Sequence, residues 1–100
     1  MPYTVVFTPL AFSDYTEALV WFEDKSLQTR LNFEKVVTQR LSFIAEYPEA
    51  APVEFKFLRA ILLKKYQYKI YYRIFHNQNK IFIYAIAHTS RRTDFIKKRL

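Results

Sequence analysis

Leu58–Arg92, LRAILLKKYQYKIYYRIFHNQNKIFIYAIAHTSRR, is the stretch whose reading decides the fold. Three β-type runs follow one another in it. The last, Lys80–His88, is apolar at both parities: Ile81, Ile83, Ala85 and Ala87 point one way, and Phe82, Tyr84 and Ile86 the other. A strand apolar on both faces lies inside a sheet and is covered on each side. His88 ends the run, and Arg91 and Arg92 follow at once. That makes the exit of this strand a candidate working site, although a histidine closing a strand beside solvated arginines accounts for the same residues.

Upstream, Tyr68–Phe75 is a strand with Ile70, Tyr72 and Ile74 on one face and Lys69, Tyr71, Arg73 and Phe75 on the other. His76-Asn77-Gln78-Asn79 joins it to the last strand as a polar turn, in which asparagine can take the positive φ usually left to glycine. Lys64–Gln67 is a connection, and Val53–Leu63 is extended with an interruption near Leu58 or Arg59. Of Tyr66, Tyr68, Tyr71 and Tyr72, two are expected in the core.

Further out, Tyr3–Phe7 (YTVVF) is a short strand rich in β-branched and aromatic residues. Thr8-Pro9 starts a helix: threonine caps free N–H groups, and proline occupies a position where an N–H is not needed. That helix runs to about Lys25 with Ala11, Tyr15, Ala18, Leu19 and Phe22 as its apolar stripe. Trp21 falls beside the stripe as a partly buried packing residue, with a binding anchor as the alternative. Asp14 and Glu17 are expected in the first turns, serving the helix dipole. Ser26 ends this helix and caps a second, Leu27 to about Tyr47, antiparallel to it, with the stripe Leu27, Leu31, Phe33, Val37, Leu41 and Ile44. Pro48 stops it. A short helix, Asp94–Leu100, closes the chain. The fold class is therefore α+β: a helical hairpin on one face of a small, mostly antiparallel sheet, in the order β-α-α-β-β-β. The opposite face is expected to be the more open one.

One hundred residues form one domain, residues 1–100, with a single core. No run of about eighteen apolar residues and no signal-peptide pattern occurs, so neither a membrane partner nor export is expected. With no cysteine, disulfides, cysteine-based zinc sites and thiol nucleophiles are excluded, as befits a cytoplasmic protein. With no glycine, glycine-rich phosphate loops are excluded too. No cofactor and no metal is expected. Charge is unevenly placed: residues 1–55 carry a net −4, residues 56–100 a net +11, for +7 overall. Only Asp94 is acidic in the second part, which points to a polyanionic or acidic partner.

In order and spacing, YTVVFTPLA, the helix pair, Arg59, YQYKIYYRI and KIFIYAIAHTSRR resemble the RelE/ParE superfamily of toxins from bacterial type II toxin–antitoxin systems, often called plasmid stabilisation proteins. The sharpest parts are Tyr68-Lys69-Ile70-Tyr71-Tyr72-Arg73 and the H-x-x-R of His88 to Arg91. The resemblance implies the fold just derived. It also implies a cognate antitoxin with an acidic, amphipathic segment, and oligomers only through that complex.

Two activities follow from the resemblance. A RelE-like ribonuclease cutting mRNA in the ribosome would use Lys69, Arg73, Arg91 and His88 for charge and proton transfer, with Tyr71 stacking on a base. That type carries a tyrosine or another acid–base group in the last segment, where this chain has Phe95. A ParE-like toxin instead binds and poisons DNA gyrase, with Arg59, Tyr71, Arg73, Arg91 and Arg92 as contact residues. The Y-x-I-Y-Y-R strand and H-x-x-R end are more similar to that branch, although many members have proline where this chain has Gln67. An inert or purely binding relative is a third expectation.

Overall fold

The computed structural model describes residues 2–100. Four residues of β1 (Thr4–Phe7) lead into α1 (Pro9–Lys25) and α2 (Leu27–Glu46), followed by β2 (Val53–Phe55), β3 (Leu58–Leu63), β4 (Tyr68–Phe75), β5 (Lys80–His88) and a single turn of helix, α3 (Asp94–Lys97). The strands form one sheet in the order β1-β5-β4-β3-β2, with β1 parallel to β5 and the other neighbours antiparallel. The strand apolar on both faces, β5, does lie inside the sheet.

Local signals act where expected. The Thr8 hydroxyl accepts the Ala11 N–H, and Pro9 opens α1. Ser26 alone separates the helices: its N–H donates to the Phe22 carbonyl and its Oγ accepts the Thr29 N–H at 3.0 Å. Tyr47, pushed out of helical geometry before Pro48, ends α2 (φ −127°, ψ 71°). Asn79 takes φ 52° after a 3₁₀ turn, His76–Gln78. Lacking glycine, the chain places Lys56 and Gln67 at positive φ as well. At Gln67 (φ 56°) proline could not sit, because its ring holds φ near −65°.

The helices cover one face of the sheet. Phe33, Val37, Ile44, Ile70, Tyr72 and Ile83 lie at the centre of that core, with Tyr66 and Tyr68 packed on Phe22 and Phe33. Tyr71 and Tyr72 are the two buried tyrosines of the four.

Five details differ from expectation. The Val53–Leu63 segment is two strands joined at Lys56-Phe57, so four strands follow the helices. In β5 the alternation of faces breaks at a bulge: Tyr72 pairs with Ile83 but Tyr71 pairs with Ala85, leaving Tyr84 as an extra residue. Ile81, Ile83 and Ile86 therefore face the helices, whereas Ala85 joins the opposite face. That opposite face is partly covered: Ile96 of α3 is buried against Leu58, Ala60, Tyr71 and Ala85, with Phe95 beside it. Leu27, Leu31 and Trp21 are exposed, because the sheet reaches only part of each helix. Asp14 lies beyond the first turn of α1 and is buried.

Candidate functional site

The residues singled out in the sequence fall on two faces. On the face away from α1 and α2, Lys69 reaches both carboxylate oxygens of Glu54, the nearer at 2.5 Å. Arg73 stacks between Phe57 (3.9 Å) and Phe75 (4.6 Å). Lys56 and Lys97 both lie over the Phe55 ring. Phe57 meets Tyr84 edge-on, and Phe75 meets Phe82. The result is an aromatic surface carrying cations, with Glu54 as its acidic member. Tyr71, also on this face, is 6% exposed beneath Phe95 and Ile96. Contrary to the expectation of an open stacking platform, its ring is covered. Burial pushes the Tyr71 hydroxyl above its ordinary pKa, with Lys69 opposing and Glu54 reinforcing.

His88 and Arg91 sit elsewhere. His88 pairs with Tyr68, whose ring meets the imidazole edge-on at 5.4 Å on the helix side. Arg73 is five residues further along β4, roughly 17 Å away at the usual strand rise, and on the other face. His88 and Arg91 line an open cleft of about 310 Å³ between α1 and the end of β5, with Asp14, Glu17, Trp21 and Tyr68. The Ser90 N–H donates to His88 Nδ1 at 3.0 Å, which makes Nδ1 an acceptor and leaves the ring proton of the neutral form on Nε2. Arg91 stacks on Phe95 at 4.1 Å.

Arg59 has a structural employment. It donates to the carbonyls of Glu49 (3.1 Å) and Ala51 (2.7 Å), fastening the loop between α2 and β2. Arg92 projects into solvent, 3.7 Å from Asp94. Lys69 and Arg73 are thus brought to one face, His88 and Arg91 to another, and Arg59 and Arg92 to neither. Among the described residues no group of His, Asp or Glu could hold a metal ion, and no helix is long and apolar enough to cross a membrane.

Sequence reasoning missed the most organised polar group, the pair Asp14–Arg99. Arg99 donates to both carboxylate oxygens of Asp14 and to the Tyr84 carbonyl, while Asp14 also accepts the Ile86 N–H. β1 stops at Phe7, paired with Ile83, so β5 would expose its backbone edge from Tyr84 onward. The ion pair satisfies the Tyr84 carbonyl and the Ile86 N–H of that edge and ties the segment after α3 to α1. One signal was available: Asp14 interrupts the apolar stripe Ala11, Tyr15, Ala18, at a spacing where an apolar residue belongs.

Solved structures share this architecture. The chain superposes on a RelBE2 toxin–antitoxin complex from Mycobacterium tuberculosis with TM-score 0.65 and 21% identity, over 88% of this chain and 99% of that one. For a chromosomal ParDE system from P. aeruginosa the values are 0.72 and 13%, over 86% and 95%. For free E. coli RelE, in a mutant form, they are 0.60 and 17%, over 99% and 94%. No curated protein sequence matches the chain. These likenesses place the molecule in the RelE/ParE class of folds.

Within that class, residues 5–93 match the family model of the ParE toxin of the type II toxin–antitoxin system parDE. The chain belongs to that family.

Proposed function

We propose that this toxin acts by binding and poisoning DNA gyrase in the cytoplasm, and that a cognate antitoxin with an acidic, amphipathic segment neutralises it. The observation that supports a binding mode over catalysis is the division of the cations and the histidine. A ribonuclease needs a base, an acid and phosphate-holding cations around one scissile bond. Here Arg73 is five strand residues from His88, and Lys69, next to the Tyr68 that pairs with His88, points to the opposite face. Lys69 is engaged by Glu54, and Tyr71 is covered and stays protonated at neutral pH. The surface of Phe55, Phe57, Arg73 and Phe75 instead has the aromatic and arginine content of a protein-binding patch.

The antitoxin reading is supported by the +11 charge of residues 56–100, and by fold relatives that are themselves toxin–antitoxin assemblies. Higher oligomers would form only through that complex.

The deciding experiment adds purified toxin to gyrase with supercoiled plasmid and, separately, to a translating extract. Trapped cleaved DNA with intact transcripts is the expected outcome. Cut transcripts with no trapped gyrase would instead establish the ribonuclease. Silence in both assays would leave an inert or purely binding relative. Arg73→Ala, at a half-buried position of the aromatic surface, is expected to lower gyrase trapping at least tenfold with folding retained.

A further inference from the structure

The two sides of the molecule differ in the sign of their charge. Of the nine acids, all but Glu54 and Asp94 lie on α1, on α2 or in the loop after α2. Glu54 is held by Lys69, and Asp94 stands 3.7 Å from Arg92. On the face away from the helices, Lys56, Lys80 and Lys97 are exposed, and among the described residues none of them meets an acid.

Aromatic rings alternate with these cations. The turn Lys56-Phe57, with Lys56 at φ 52°, carries Phe57 onto Arg73 and leaves that ring 41% exposed. In the β4–β5 register Arg73 stands opposite Phe82 and Phe75 opposite Lys80. The rings of Phe75 and Phe82 meet at 5.1 Å. Lys56 and Lys97 each lie 5.6 Å from the centre of the Phe55 ring. A protein contact accounts for the rings and for Arg73, but lysine is depleted in such contacts. Unpaired lysines set among half-exposed rings suit a single nucleic-acid strand better. Its phosphates take the ammonium groups, and its bases stack on the rings whatever the sequence. A duplex suits this face less well, because its base faces already cover one another.

We propose that this face grips one strand of DNA in the trapped complex, so that the toxin holds nucleic acid as well as the enzyme. Bases stack on Phe57 and on the Phe75–Phe82 pair, while Lys56, Lys80 and Lys97 meet phosphates. Arg73, clamped between Phe57 and Phe75, spaces those two rings. The strand is held and not cut, since His88 lies on the other face. The setting in the trapped complex rests on the gyrase reading above, whereas the contact itself is measurable without gyrase.

The test titrates a short, fluorescein-labelled oligothymidylate with the purified chain and follows anisotropy, with no gyrase present. The strand is expected to bind at least tenfold more tightly than a duplex of equal length. Three phosphate contacts on a single strand give log affinity against log salt a slope of about −2, and Lys80→Gln should reduce its magnitude by about 0.7. Phe57→Ala and Phe57→Leu should each weaken binding at least fivefold, the second because leucine fills space without offering a ring. Trp21→Ala, an exposed ring on the helix side, should bind like wild type. A duplex bound as tightly as the strand, or Phe57→Leu binding like wild type, overturns the stacking face. No binding of the strand at ~50 mM salt overturns the DNA contact altogether, and the plasmid assay with gyrase then still decides the gyrase reading. Strand binding without trapped gyrase overturns that reading and the setting in the trapped complex, and it upholds the contact with DNA.

Discussion

Removing one member of the Asp14–Arg99 pair should cost more than any other single charge deletion in this chain. The two side chains are 8% and 12% exposed, and each has a second partner, the Ile86 N–H and the Tyr84 carbonyl respectively. Arg99→Ala leaves a buried carboxylate facing one N–H, and breaking a buried pair from one side costs about 3–5 kcal/mol. The terminal segment can lift and admit water to Asp14, so the lower end, about 3 kcal/mol, is expected here. Asp14→Ala frees Arg99 to swing into solvent but strands the Ile86 N–H, an unmet buried donor worth about 1–3 kcal/mol. The double variant should therefore cost about 3 kcal/mol instead of the roughly 5 that additivity gives, a coupling near 2 kcal/mol. Equilibrium urea unfolding of the three variants and the wild type measures this. Trypsin should also clip the last ten residues faster in Arg99→Ala, because α3 has lost its tie to α1. Additivity within about 0.5 kcal/mol would refute the reasoning, since it would mean that the two groups do not meet in solution.

Three further outcomes are expected. Burial raises the hydroxyl pKa of Tyr72, Tyr71, Tyr68 and Tyr15 above 10.0. Stability should be fully present below pH 10 and fall as pH rises through it, because the unfolded chain releases those protons first. The slope is at most about 1.4 kcal/mol per pH unit for each tyrosine that stays protonated, and chemical unfolding between pH 8 and 11 measures it. Lys56→Gly should stabilise by about 0.5–1 kcal/mol, since a side chain at φ 52° carries a left-handed penalty that glycine lacks; the unfolding midpoint in urea reports it. Tyr72→Phe removes the 2.6 Å bond to the Pro48 carbonyl and should cost about 1 kcal/mol. The amides of the α2–β2 loop, also held by Arg59, should then exchange faster.

What could be read in the sequence divides along the range of the interactions concerned. Thr8, Ser26, Pro48 and Asn79 act on backbone within a few residues, and each did what its chemistry requires. The both-faced apolarity of Lys80–His88 likewise placed β5 inside the sheet, because burial on two sides leaves a mark in composition. The site was less legible, for a reason visible in one residue. Tyr84 is the extra residue of a bulge, and a single insertion exchanges the faces of everything after it. Strict alternation therefore sends Ile86 to the wrong side. The same displacement is what carries His88 to the helix side of the sheet, away from Lys69 and Arg73, although all three look like one cationic group in the linear text. The bulge has no local signature in a segment without glycine, and it is stabilised from afar: the carbonyl at Tyr84 is held by Arg99, and the N–H at Ile86 by Asp14. Asp14 and Arg99 are separated by 85 positions, so no window of sequence contains both. The apolar stripe of α1 announces only that an acid is out of place. The fold is thus written in local and compositional terms, whereas the placement of the candidate site depends on a bulge whose flanking backbone groups are held by one long-range ion pair.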